Sequence, residues 1–228
     1  MSGQTEFSPG GLPYRLVRGV IFCLFPPLFG LLYGWRVRGG LEKSAAAEGC
    51  VTVCNHAHTL DCVMLACAFR KHVMQFLTLE ENLRLPVAGP LVRLLGGIGL
   101  PEGLSGWRQV CGRIEKAFSE GELVQIYPEG ELISGCRTLR AFRPGAFTFA
   151  ARYHKPVVPC VLRFYPRYGL LGRRRRDGRE LVILPPVFPA EKETGRRAAR
   201  TLEERVRAAM EQALREPWEA LETQREVL

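Results

Sequence analysis

Much is missing from this 228-residue sequence, and each absence removes a class of protein. No two of its 8 cysteines stand in C-x-x-C spacing, so it carries neither a zinc ribbon nor a dithiol redox motif. Cys62, Cys67 and Cys160 lie inside apolar runs, where a reduced thiol behaves as a small hydrophobe. That reads as a reducing cytosolic compartment rather than a disulfide framework. There is no G-x-S-x-G nucleophile elbow and no internal repeat. Charge runs are confined to Arg173–Arg176, which reads plainly as a solvated loop; no aromatic-rich motif stands beside it, so nucleic-acid binding is disfavoured. The apolar stretch from Gly19 to Trp35 is about 17 residues, the lower limit for spanning a bilayer, and Pro26-Pro27 interrupts it.

What is present describes an ordinary core with a basic surface. Hydrophobic residues make up 46% and charged residues 24%, enough for one sizeable domain or at most two small ones. The formal charge of +9 calls for an anionic partner, and an anionic membrane surface fits it. Residues 1–40 carry the apolar stretch, with Arg15 and Arg18 on one side and Arg36 and Arg38 on the other. Tyr14, Tyr33 and Trp35 stand at its edges. This predicts a membrane-associating segment, broken at the prolines, that dips into one leaflet of the cytoplasmic face. The alternative is a buried helical hairpin.

Residues 41–228 read as one α/β domain. Strands are predicted at 49–54, 73–79, 98–100, 123–127, 157–164 and 181–184, and helices at 60–71, 81–95, 105–120, 143–155 and 191–214. The last of these is amphipathic, with Leu202, Val206, Ala209 and Leu214 on one face. Alternation of this kind implies a mixed, largely parallel sheet covered by helices.

Two stretches carry chemistry. Asn55-His56-Ala57-His58-Thr59-Leu60-Asp61 begins where a buried strand ends and a helix begins, the usual place for ligands in open α/β sheets. His56 there is a candidate general base, and Asp61, in the first helical turn, the carboxylate that orients it. His58 suggests H-x-H zinc ligation, but no further histidine or cysteine cluster completes a site, so no metal is expected. The second stretch, Tyr127-Pro128-Glu129-Gly130, also closes a strand. Gly130 permits close approach, and N–H groups at such a turn are able to receive an oxyanion or a phosphate oxygen.

Taken in order, Asn55-His56-x4-Asp61, Pro128-Glu129-Gly130, Phe142-Arg143-Pro144-Gly145 and Val158-Pro159 resemble the glycerolipid acyltransferase family, of which the 1-acylglycerol-3-phosphate acyltransferases are the best-known members. The resemblance covers residues 14 to 190. It implies that His56 deprotonates a lysophospholipid hydroxyl, which attacks the thioester of acyl-CoA or acyl-carrier protein, with no cofactor. Asp61 holds His56, Asn55, Glu129 and Gly130 belong to the substrate site, and Arg143 contacts the acceptor phosphate or the donor. Two cationic positions of the family pattern are empty: Gly97-Ile98-Gly99-Leu100-Pro101-Glu102 has no arginine, and Glu131-Leu132 follows Gly130. Arg137 and Arg140 are the nearest substitutes. A phosphate-free or amino-acid lipid acceptor, a thioesterase activating water through His56, and a basic membrane-binding protein are the competing readings.

Overall fold

The computed structural model describes residues 12–86, 88–101, 103, 106–168, 173 and 176–216. Glu102, Arg174, Arg175 and the side chains of Tyr14 and Arg15 lie outside the described residues. In chain order the elements are α1 (Leu12–Tyr33), β1 (Arg36–Arg38), α2 (Lys43–Glu48), β2 (Cys50–Cys54), α3 (Asp61–Ala68), β3 (Met74–Leu79), α4 (Glu80–Arg84) and α5 (Ala88–Leu94). There follow β4 (Gly97–Leu100), α6 (Trp107–Ser119), β5 (Leu123–Ile126), α7 (Gly145–Arg152), β6 (Val157–Tyr165), β7 (Gly178–Ile183) and α8 (Gly195–Arg215).

The described strands form one sheet in the order β1-β7-β6-β2-β5-β3-β4, parallel throughout except between β6 and β7. All five residues of β2 are buried, because helices cover both faces of the sheet. Alternation along β2 divides them: Val51 and Val53 join a core with α6, α7 and α8, whereas Cys50 and Cys54 join one with α1 and α3. At the β6–β7 pair, Arg163 and Glu180 face each other in register and form a buried ion pair at 2.9 Å. Arg163 also donates to the Ala213 carbonyl at 2.8 Å, tying the end of α8 to the sheet.

Several sequence expectations need correction. The break at Pro26-Pro27 does not occur: α1 is one helix, and two missing N–H donors are tolerated because Ile21 before them and Phe29 after them are buried in the same core. Its outward face carries Leu16, Val20, Leu24, Leu28, Leu31 and Leu32, all exposed. No helix among the described residues is long and apolar enough to cross a membrane. Three of the arginines that flank the apolar stretch also make contacts within the protein. Arg18 donates to the His72 carbonyl, Arg36 stacks on Tyr165 at 4.7 Å, and Arg38 pairs with Glu216 at 2.9 Å. The helix expected over 81–95 is split into α4 and α5, because Leu85, before Pro86, is held extended (φ −60°, ψ 135°). The helix expected from Arg143 begins at Gly145, leaving Arg143 in the preceding loop.

An αL glycine cap ends α1. Gly34, at φ 55°, donates to the Gly30 carbonyl at 2.9 Å, and Trp35 donates to that of Phe29 at 3.1 Å. The rings of Phe29 and Trp35 close the motif at 6.0 Å. The Tyr165 hydroxyl donates to the Gly34 carbonyl, which seats this turn beside the end of β6.

Candidate active site

The site begins where β2 runs out. Asn55 is buried, and its side chain continues the ladder to β6: Nδ2 donates to the Leu162 carbonyl at 2.9 Å, and the Leu162 N–H donates to Oδ1 at 2.8 Å. Expected among the substrate contacts, Asn55 faces β6 instead and fixes the direction in which the chain leaves the sheet. The next residue is therefore delivered to a defined place.

That residue is His56, half-buried, with Nδ1 at 2.9 Å from Asp61 Oδ2. Asp61 is 1% exposed, and its carboxylate is fully occupied. Oδ2 also accepts the N–H groups of Ala57 and His58, each at 3.2 Å, and Oδ1 accepts the Tyr127 hydroxyl at 3.1 Å. A carboxylate held by this many donors is a hydrogen-bond acceptor only, so it places the imidazole proton on Nδ1. Nε2 then carries the lone pair, and no hydrogen bond to Nε2 occurs among the described residues.

Tyr127 was not singled out by the sequence, although it directly precedes Pro128-Glu129-Gly130. Its ring stacks on His56 at 3.9 Å with 15° between planes. Burial, reinforced by the Asp61 charge, holds its phenol well above the usual range, so it stays a donor. The ring thus fixes the imidazole plane while the hydroxyl fixes the carboxylate.

Glu129 is buried and turned inward. Its Oε2 accepts the His56 N–H at 3.3 Å and the Arg140 guanidinium at 3.1 and 2.7 Å; Oε1 accepts the Arg140 N–H at 3.1 Å. Glu129 therefore joins the loop after β5 to the loop after β2. The two loops also meet through Ile133 N–H to the His56 carbonyl (3.2 Å) and Gly135 N–H to that of Ala57 (2.8 Å). Arg207 of α8 donates to the carbonyls of Arg140 (2.6 Å) and Leu139 (3.4 Å) from behind.

The Gly130 N–H expected to face an oxyanion is committed to the Tyr127 carbonyl at 3.0 Å within the turn. Gly130 serves by its shape. At φ 71° it has no Cβ, and one placed there would stand 2.5 Å from Arg143 Nε. Arg143 thus lies across the turn, exposed, with no hydrogen bond or ion pair to its guanidinium among the described residues.

Arg137, Arg140 and Arg143 diverge although they recur at every third position. Arg140 is neutralised by Glu129, and Arg143 is open. Arg137 pairs with Asp177 and stacks on Phe164 of β6 at 5.3 Å, away from the turn. His58 turns from the base as well: its Nδ1 accepts the Leu60 N–H at 3.1 Å, and its ring meets Tyr33 edge-on at 5.2 Å. Burial first, then the Arg179 charge, lowers the His58 imidazole against the pull of Asp61. No group of three or more His, Cys, Asp or Glu residues suited to a metal occurs among the described residues.

The arrangement is a base with a fixed tautomer, a buried anion behind it and an open cation across the neighbouring Gly130 turn, at the carboxyl ends of β2 and β5. Such a constellation removes a proton from a hydroxyl and stabilises the imidazolium that results. Comparison with known proteins bears on the family and the fold. The model of the Acyltransferase family matches residues 36–163, which include Asn55, His56, Asp61, Tyr127, Glu129, Arg140 and Arg143. In fold the chain is similar to the crystal structure of the 1-acyl-sn-glycerophosphate (LPA) acyltransferase PlsC from Thermotoga maritima, with a TM-score of 0.63. That likeness covers 90% of this chain and 82% of that one at 19% identity. No curated protein matches the sequence.

Proposed function

Because this chain belongs to the Acyltransferase family, we propose that it is a lipid O-acyltransferase with His56 as its general base. The acyl group moves from the thioester of acyl-CoA or acyl-carrier protein to the hydroxyl of a lysophospholipid, 1-acylglycerol-3-phosphate first among them. No cofactor takes part. His56 Nε2 takes the hydroxyl proton, and the oxygen attacks the thioester carbonyl. The C–S bond breaks as the tetrahedral intermediate collapses, and the departing thiolate recovers the proton from His56.

The observation that carries this reading is the 2.9 Å contact between His56 Nδ1 and the buried Asp61 carboxylate. It prepares the base and stabilises its protonated form where charge develops. Arg143, exposed across the Gly130 turn and without a hydrogen bond to its guanidinium among the described residues, is suited to a phosphate of either substrate. The row of exposed leucines on α1 supports association with the cytoplasmic face of a membrane, where both lipid and acyl donor are within reach.

The test is labelled acyl-CoA with purified protein and a panel of lysophospholipids and monoacylglycerol, with hydrolysis measured beside transfer. Transfer to an acceptor is expected, and His56→Ala lowers kcat by about 10²–10⁴-fold. Wild-type turnover in His56→Ala, or hydrolysis that ignores every acceptor, would refute the proposal.

A further inference from the structure

The sheet order sets two flanks beside His56. β5, with the Gly130 turn and Arg143, lies on one side of β2; β6 and β7 lie on the other. Because β6 is parallel to β2 and β7 antiparallel to β6, the end of β6 and the start of β7 reach the same rim of the sheet as His56. On that rim stands Arg179. Its guanidinium lies over the Tyr33 ring at 4.4 Å and near the Phe164 ring at 5.6 Å. Arg137 stacks on the same Phe164 at 5.3 Å.

The donors of Arg179 are largely unspent. Nη1 reaches the Asp177 backbone carbonyl at 3.3 Å, whereas neither Nη2 nor the buried Nε has a hydrogen-bond partner among the described residues. The Asp177 carboxylate is taken by Arg137. A half-buried guanidinium seated on one ring and near a second, with Nη2 uncommitted among the described residues, is prepared for a planar or tetrahedral oxyanion. Tyr33 connects this place to the catalytic loop, since its ring also meets His58, two residues beyond the base. It belongs to α1 as well, whose last turns before Tyr33 carry the exposed Leu28, Leu31 and Leu32.

We infer that Arg179, seated between Tyr33 and Phe164, takes the phosphate of the lipid acceptor, leaving Arg143 on the opposite flank for the phosphate-bearing donor. This rests on the acyl-transfer reading above and adds to it the side from which each substrate arrives. It also supplies a cation in place of the two arginines missing after Ile98 and Gly130.

Two readouts on the full-length protein separate this inference from the reading beneath it. The first is kinetic, with acyl-CoA as donor and either lysophosphatidate or monoacylglycerol as acceptor. Arg179→Ala raises KM for lysophosphatidate roughly tenfold or more, since hydrogen bonds to charged groups are the strong ones. Its KM for monoacylglycerol and for acyl-CoA stays near the wild-type value. Arg143→Ala does the opposite, raising KM for acyl-CoA. Arg179→Lys keeps the charge without the flat fork and falls between. The second readout is binding without turnover: glycerol 3-phosphate is titrated while the His58 imidazole is followed by NMR. In the wild type the anion offsets the Arg179 charge and raises the His58 pKa. In Arg179→Ala the pKa is already higher and does not respond.

An equal KM increase for both acceptors, a rise in the acyl-CoA KM of Arg179→Ala, or an unchanged His58 response in that variant would each overturn the inference. His56-dependent transfer that ignores Arg179 would sink the inference alone. A His58 response that needs Arg179, in a protein that transfers to no acceptor, would sustain the anion site and sink the acyl-transfer reading.

Discussion

Asp61→Asn tests the electrostatic half of the site with little change of shape. The carboxamide oxygen is able to take the place of Oδ2 and keep the N–H groups of His56, Ala57 and His58, while the amide nitrogen turns toward Tyr127. The loop therefore survives, and what disappears is a buried negative charge facing the imidazolium of the transition state. At roughly 4 Å and an effective dielectric of about 20, that attraction is about 4 kcal/mol. Since about 1.4 kcal/mol is a factor of ten, kcat should fall roughly 10³-fold with KM almost unchanged. Steady-state kinetics supply both values, and near-UV circular dichroism checks that the aromatic stack of His56 and Tyr127 stays in place. A loss under tenfold, or one carried by KM, would mean that Asp61 shapes the loop and does not stabilise charge.

Three further outcomes follow from the same contacts. Asn55→Ala leaves the Leu162 N–H and carbonyl buried and unpaired; at about 1–3 kcal/mol per orphaned group, Tm should drop by several degrees, and activity should fall with it. Gly130→Ala forces a Cβ into φ 71° and against Arg143; thermal melts should show a loss of about 1–2 kcal/mol, and kinetics should raise the same KM that Arg143→Ala raises. A Gly130→Ala enzyme with wild-type KM values would show that Arg143 touches neither substrate. Cys23, exposed on α1 beside Leu24, should react with a maleimide in buffer and be shielded by liposomes of anionic lipid; mass mapping with equal labelling in both conditions would show that α1 does not dock there.

What the sequence made legible was local. The buried run at Cys50–Cys54 and the five-residue step from His56 to Asp61 are short-range features, and both stand in the structure within a turn of where they were expected. What it hid was settled by partners far along the chain. Arg140 has the look of a free cation until Glu129, eleven residues earlier, is found turned inward to meet it. Asn55 has the look of a ligand contact until β6 arrives beside β2 with Leu162. Pro26-Pro27 reads as a break because proline propensity is a local rule, and burial of Ile21 and Phe29 on one face overrides it. At Leu85-Pro86 no such burial exists, with α4 wholly unburied, and the local rule prevails. Three-residue β1 carries too few side chains for any pattern and is defined by its pairing with β7.

The grip of Arg207 on the carbonyls of Leu139 and Arg140 has a consequence for how the protein is made. Translation delivers His56, Asp61, Tyr127, Glu129 and Arg143 early, yet the clamp on Asn55 waits for Leu162 and the support behind the Glu129–Arg140 loop waits for α8. A nascent chain therefore holds every proposed catalytic side chain, and an exposed row of leucines on α1, before it holds a site. If α1 finds a bilayer during that interval, the chain is held there before the site is complete, and the emergence of α8 completes it in place.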